Sequence, residues 1–216
     1  MKIKIIFIVS LLAITSVMAQ DRGKFGLEVR SSRNITYNCC AIYGGFNGST
    51  TYTIDNEKNL NSTSYSVGLV YRINERSMLK LHVGHHQNGR NFDLTERLDN
   101  FTISKYVDSN LPYYYLQFTP SYVYHLNLGK GKIPLEGGIS INKRRNEAEI
   151  FFMPINEYNY DLRLAVGYEY PILPKLSAGV NAVYARALSP YQVASMVTGK
   201  YSPLQVGLEV NIKYFY

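Results

Sequence analysis

The sequence predicts an all-β protein, an eight-stranded antiparallel up-and-down transmembrane β-barrel with short periplasmic turns and long extracellular loops. Three observations carry that expectation. The stretch from Tyr158 to Ile172, YNYDLRLAVGYEYPI, alternates with a period of two, and successive side chains of a β-strand point to opposite faces. Similar alternating segments recur until the count reaches eight. The connections between them are alternately short and long, as an up-and-down barrel in a membrane requires.

In the stretch itself, the even positions are Tyr158, Tyr160, Leu162, Leu164, Val166, Tyr168, Tyr170 and Ile172. The odd positions carry Asn159, Asp161, Arg163, Ala165, Gly167 and Glu169. One face is therefore apolar throughout, with aromatics at its two ends, and the other bears charges of both signs. The distance from Tyr160 to Tyr168 or Tyr170, at about 3.3 Å per residue and a tilt of about 40°, covers about 20–25 Å along a membrane normal. That is the height of a lipid-facing apolar band bounded by aromatic girdles.

The chain opens MKIKIIFIVSLLAITSVMAQ. A basic start at Lys2 and Lys4, an apolar run from Ile5 to Ile14 and small residues before Gln20 read as a secretory signal peptide over residues 1–19. The run is too short for a comfortable membrane span, and no Cys follows the cleavage point to anchor a lipid. Residues 20–216 then form one barrel domain. No later apolar run approaches the roughly 20 residues of a membrane helix, which excludes a helical membrane protein. The 20 Tyr and 9 Phe, with no Trp, suit strands and interfacial belts. The net charge of +7 favours anionic head groups over nucleic acid, which an exported protein rarely meets. Cys39 and Cys40 are adjacent, cannot staple a domain and read as incidental loop thiols.

The first strand starts at Lys24, with Phe25, Leu27 and Val29 on its apolar face. A polar stretch, residues 31–64, reads as a long loop. The second strand covers Tyr65 to Ile73, and the turn Asn74-Glu75-Arg76-Ser77 leads to a third with Leu79, Leu81 and Val83. Residues 85–111 read as another long loop. The fourth strand, Tyr113 to Leu126, contains Pro120, which cannot donate to a ladder and predicts a bulge or local irregularity. A Gly-rich turn, residues 127–132, leads to the fifth strand with Ile133, Leu135, Ile139 and Ile141. After a charged loop comes the sixth strand, already described. Leu173-Pro174-Lys175 turns it into the seventh, with Leu176, Ala178, Val180, Ala182 and Tyr184. After residues 186–202, an eighth strand runs from Leu204 to Tyr216.

Alternation alone does not decide which face is outside, because a soluble barrel places the apolar face inward. Recurring tyrosine pairs at strand ends favour lipid outside. So does a Gly on the polar face of nearly every strand. The polar face also carries balanced charges: Glu28, Glu136, Asp161, Glu169 and Glu209 against Arg30, Arg72, Lys80, Arg163 and Lys213. In a tight interior these must pair, so they are expected to form a lumen charge network. An eight-stranded barrel has an interior only wide enough for side chains, so general diffusion is not expected.

The last strand, LQVGLEVNIKYFY, ends in alternating apolar residues and a terminal aromatic. It resembles the closing strand by which Gram-negative outer-membrane proteins are recognised for barrel assembly. With the signal peptide and four hairpins, the chain resembles the small OmpA/OmpX-type barrels of the outer-membrane β-barrel domain family, within the broader porin-like class. The resemblance implies a cell outer membrane location, outer-membrane lipid and lipopolysaccharide as surroundings, and the barrel-assembly machinery as a partner. Tyr214 and Tyr216 would be its assembly signal. It implies no cofactor and a monomer. No further periplasmic domain that would bind peptidoglycan is expected.

The same resemblance makes a structural or surface-binding role the leading expectation, exercised through the extracellular loops, with no enzymatic activity. Lys143, Arg144 and Arg145 are the candidates for contact with outer-leaflet phosphates, since clustered cations favour anionic head groups. The alternative is a lipid-modifying barrel enzyme resembling lipid A deacylases, marked by a Ser/His or acid/His pair at one rim. The His-x-Ser-Asn pattern of those enzymes is absent, and residues 20–24 leave no room for the N-terminal amphipathic helix of acyltransferase barrels. His85 and His86 read as exposed loop histidines.

Overall fold

The computed structural model describes residues 23–39, 45–47, 50–98, 101–145, 156–189, 192–193 and 200–216. The expected signal peptide and Cys40 lie outside these residues. The described strands are β1 (Phe25–Cys39), β2 (Gly45–Asn47), β3 (Thr50–Lys58), β4 (Leu60–Arg72), β5 (Ser77–Leu98) and β6 (Phe101–Leu128). They continue with β7 (Gly131–Arg144), β8 (Tyr158–Leu173), β9 (Leu176–Ala187), β10 (Gln192–Val193) and β11 (Lys200–Phe215).

Eight of these strands are the staves of a closed barrel. Around the ring they run β1, β4, β5, β6, β7, β8, β9 and β11, each antiparallel to the next. The ring closes where β1 meets β11 in an unbroken ladder from Gly26↔Phe215 to Cys39↔Ser202. Closure satisfies every stave on both sides, the condition for a sheet to sit in lipid. β3 pairs with the far end of β5, β2 pairs with β3, and β10 pairs with β11.

The two faces of the wall differ as the alternation predicts. Outward residues include Val29, Val67, Leu81, Ile139, Leu164, Val180, Leu208 and Val210, all exposed, with Leu208 at 64%. Inward residues include Glu28, Lys80, Glu136 and Lys213, all buried, with Lys213 at 0%. Apolar side chains outside and charges inside invert a soluble protein and match a lipid-facing wall. Tyrosines flank the belt. Tyr65, Tyr114 and Tyr160 are exposed towards the long-loop end, and Tyr122, Tyr168, Tyr170, Tyr214 and Tyr216 towards the short-turn end.

One expectation is corrected and another is narrowed. Residues 31–64 and 85–111 are not simply loops. β1 continues to Cys39, β3 and β4 occupy most of residues 50–72, and β5 with β6 forms one hairpin paired from Ser77↔Tyr124 up to Leu98↔Phe101. Beyond the apolar belt the apolar residues thin to scattered positions such as Ile54, Phe92, Leu94 and Leu98, so hydrophobic periodicity weakens while backbone pairing persists. Of the bulge or local irregularity expected at Pro120, the structure shows the irregularity. Leu81↔Pro120 stays in register with β5, and Phe118↔Ile141 resumes as Ser121↔Gly138 with β7 at the same offset. The missing N–H interrupts the ladder without shifting it.

The wall packs too tightly for side chains everywhere. A Cβ at Gly138 would stand 2.6 Å from Ser121 Cβ on the adjoining strand, closer than non-bonded carbons approach. Leu164→Arg places a charge at mid-belt and should cost about 2–4 kcal/mol in a bilayer. A urea titration in phospholipid vesicles, followed by the unheated mobility of the folded band, should show the midpoint fall. An unchanged midpoint would mean that lipid does not cover this face.

Candidate functional site

The barrel interior is built by inward positions from all eight staves, and the chemistry at its centre is ionic. Arg30 on β1 is the central cation. Its guanidinium donates two parallel hydrogen bonds to Glu136 on β7, both 2.9 Å. Its Nε donates to Glu28 at 3.3 Å. Lys80 Nζ, from β5, lies 3.0 Å from Glu28 and 3.3 Å from Glu136. Arg163, from β8, lies 3.4 Å from Glu136 and donates to Glu209 at 2.6 Å. Asn181 Nδ2 donates to the other Glu209 oxygen at 3.2 Å. Three cations thus meet three carboxylates, and charge balances within the cluster. Bidentate arginine pairs of this kind are the strongest ion pairs available to side chains.

The other four residues of the expected charge network sit elsewhere in the lumen. Lys213 pairs with Glu169 at 2.5 Å nearer the short-turn end, and Ser177 Oγ donates to the same carboxylate at 2.7 Å. Asp161 lies towards the long-loop end, where Asn142 Nδ2 donates to it at 2.7 Å. Arg72 is at the short-turn mouth, its guanidinium 4.0 Å from the centre of the Phe215 ring. Beneath it Val70, Met78, Val123 and Phe215 form a buried apolar cluster. These apolar residues occupy the inward phase next to the short turns, a signal present in the sequence but masked by the stronger outward pattern.

The histidines require a correction. His86 is not an exposed loop residue: it is 3% exposed, faces the lumen, and its Nδ1 lies 2.8 Å from Ser64 Oγ. Pairing of β4 with β5 continues through Ser64↔His86 and carries the ring inside. His85, on the outer face, stacks between Tyr65 at 5.0 Å and Tyr114 at 5.4 Å. His82 and His125 are also buried, 3.7 Å from Glu28 and 3.5 Å from Glu169 respectively. Between the ionic cluster and His86 lies a cavity of about 30 Å³, lined among others by Arg30, Ser64, His82, His86, Arg163 and Glu209. A space of that size holds a water or two. It is far too small for a solute path.

The expected head-group triplet is divided by the strand. Lys143 and Arg145 are exposed on the outer face, whereas Arg144 takes the inward phase opposite Tyr115. Lys143 Nζ lies 5.4 Å from the Tyr158 ring centre and 3.5 Å from Glu157. Tyr214 and Tyr216, at the other end of the wall, are both exposed and meet edge to face at 5.7 Å.

Glu136 accepts from Arg30 and Arg163 and lies beside Lys80. Glu136→Gln therefore strands buried positive charge and should cost about 3–5 kcal/mol. Glu157→Gln, at the solvated rim, should leave the urea midpoint unchanged. Equal midpoints for the two variants would show that the cluster is hydrated rather than buried.

No family model matches the sequence, and no curated protein matches it. Among solved structures the fold is similar to Neisserial surface protein A, with a TM-score of 0.52 and 13% identity, covering 89% of this chain and 97% of that one. The outer membrane protein OprG from Pseudomonas aeruginosa matches with a TM-score of 0.48 and 11% identity, over 90% of this chain and 97% of that chain. The outer membrane protein AlkL matches with a TM-score of 0.42 and 11% identity, over 88% and 90%. The first of these likenesses establishes the fold, and the apolar outer wall and ionic interior agree with it. The chain has the fold of the small eight-stranded outer-membrane β-barrels, with an apolar outer wall and an ionic interior.

Proposed function

We propose that this barrel is a sealed membrane platform that presents a long β-sheet to molecules at the cell surface, without transport or catalysis of its own. The observation that carries this reading is the length of β5 and β6. β5 runs on from His85 at the girdle to Leu98, and β6 returns from Phe101 to Tyr114. At about 3.3 Å per residue, the hairpin reaches about 40 Å along the strands beyond the girdle. β3 and β2 widen it into a sheet. The ionic cluster and the small cavity below it support a closed lumen.

Lipopolysaccharide is the proposed neighbour at the base of this sheet. Lys143 stands exposed beside Tyr158, and Arg145, also exposed, lies next to Tyr114 on the neighbouring strand, where lipid phosphates would lie. Each cation near an anionic membrane surface contributes about 1 kcal/mol. The variant Lys143→Gln/Arg145→Gln should therefore bind lipopolysaccharide about fivefold more weakly for each charge removed. Unchanged binding would remove the rim from the reading. In planar bilayers the wild-type barrel should give no stepwise conductance, and a large stable conductance would contradict the sealed lumen.

A second reading, a lipid-modifying enzyme, has one observation in its favour: the 2.8 Å approach of Ser64 Oγ to His86 Nδ1. Two features weigh against it. The pair faces the lumen and not lipid, and His86 Nε2 has no hydrogen-bond partner among the described residues. A nucleophile–base pair works when a third group orients the base. Mass spectrometry of lipid A from cells expressing wild type or Ser64→Ala should give identical acyl profiles. A profile that depends on Ser64 would establish the enzyme.

A further inference from the structure

The short-turn mouth, which faces the periplasm, holds a second cavity that neither the fold nor the proposed surface role explains. Its volume is about 180 Å³. Its wall is formed by Arg72 at the end of β4, Lys130 and Lys132 around the β6–β7 turn, and Lys175 in the β8–β9 turn. Met78 and Phe215 contribute apolar surface from the cluster beneath. Four cations from three separate connections thus converge on one vestibule.

Among the described residues, no carboxylate neutralises them. Glu169 also lines the cavity, but its charge is matched by Lys213 at 2.5 Å. Lys132 Nζ donates to the backbone carbonyl of Glu75 at 3.3 Å, a contact that leaves its charge in place. Arg72 lies over the Phe215 ring at 4.0 Å, and its Nε is buried without a hydrogen-bond partner. A buried guanidinium N–H lacking an acceptor is costly, whereas deeper in the lumen Lys213 meets Glu169 and the charges of the central cluster balance. The difference between the two regions points to a ligand. Like charges brought together repel, so their convergence costs stability unless an anion completes the set.

We propose that this vestibule is an anion site that takes a phosphate group, with the Arg72 guanidinium and the Lys130, Lys132 and Lys175 ammonium groups as donors. Arginine and lysine are the side chains suited to phosphate oxygens. The volume suits one head group and falls below the roughly 300–1,000 Å³ of pockets for larger ligands. Two sources supply that chemistry at a periplasmic mouth: free phosphate, and the phosphodiester of an anionic phospholipid in the inner leaflet. The site lies at the opposite end of the barrel from Lys143 and Arg145, so its fate does not depend on the surface role.

The test uses the full barrel refolded in neutral detergent, with backbone amide signals of Lys130, Lys132 and Lys175 followed by NMR. Inorganic phosphate is titrated in one arm. In the other, phosphatidylglycerol is added in mixed micelles against a phosphatidylcholine control. The expected result is a saturable shift confined to the vestibule signals. Saturation by inorganic phosphate assigns a free anion. Saturation by phosphatidylglycerol alone assigns a lipid head group. The variant Arg72→Gln/Lys132→Gln should weaken binding by at least about tenfold, since two charge-assisted contacts are lost. Should that variant fail to fold, Lys130→Gln/Lys175→Gln alters only exposed turn residues and should weaken binding several-fold. No saturable shift in either arm, or wild-type affinity in folded variants, would overturn the proposal.

Discussion

A barrel of eight staves encloses a space wide enough for side chains and too narrow for a column of water. Any charge pointing inward loses most of its hydration, at a cost of several kcal/mol unless an opposite charge replaces the solvent. That constraint organises the molecule. It explains why Arg30, Lys80 and Arg163 meet Glu28, Glu136 and Glu209 with no charge left over. It explains the plain side chains around them, such as Ser140, Asn142 and Asn181, which fill space and supply hydrogen bonds. It also leaves the outer wall and the two ends as the places where other molecules are met.

The staves are legible in the sequence because their two faces meet opposite solvents. Lipid outside and ion pairs inside impose contrasting residues at alternate positions, and the eye can follow them from Leu27 to Tyr214. The legibility stops where lipid stops. Above the girdle, β3 and the upper halves of β5 and β6 are paired through their backbones, and their few apolar residues leave only a broken hydrophobic signature. At Pro120 the lost N–H interrupts the ladder to β7, the local irregularity its ring announces, while the register on both sides is unchanged.

Side-chain partners are less legible than faces. The ten charged positions can be read as inward from phase alone, yet their division into a central cluster, the Glu169–Lys213 pair, Asp161 and Arg72 depends on stagger between staves. Phase also separates Arg144 from Lys143 and Arg145, although the three are consecutive. His86 is the sharpest case. It sits in a polar stretch with the composition of a loop, and only its pairing opposite Ser64 sets it inside the wall.

The bond between Arg30 and Glu136 has a further meaning for how the molecule is made. β1 and β7 are four places apart around the ring, on opposite sides of the barrel. Their side chains meet only when the sheet has curled through half a circle, and Glu209 joins them from the last stave in the chain. A partly assembled sheet therefore carries naked guanidinium and carboxylate groups that cannot enter lipid. The ionic interior is thus a property of the complete ring, its charges matched only in a chain whose first and last strands have met.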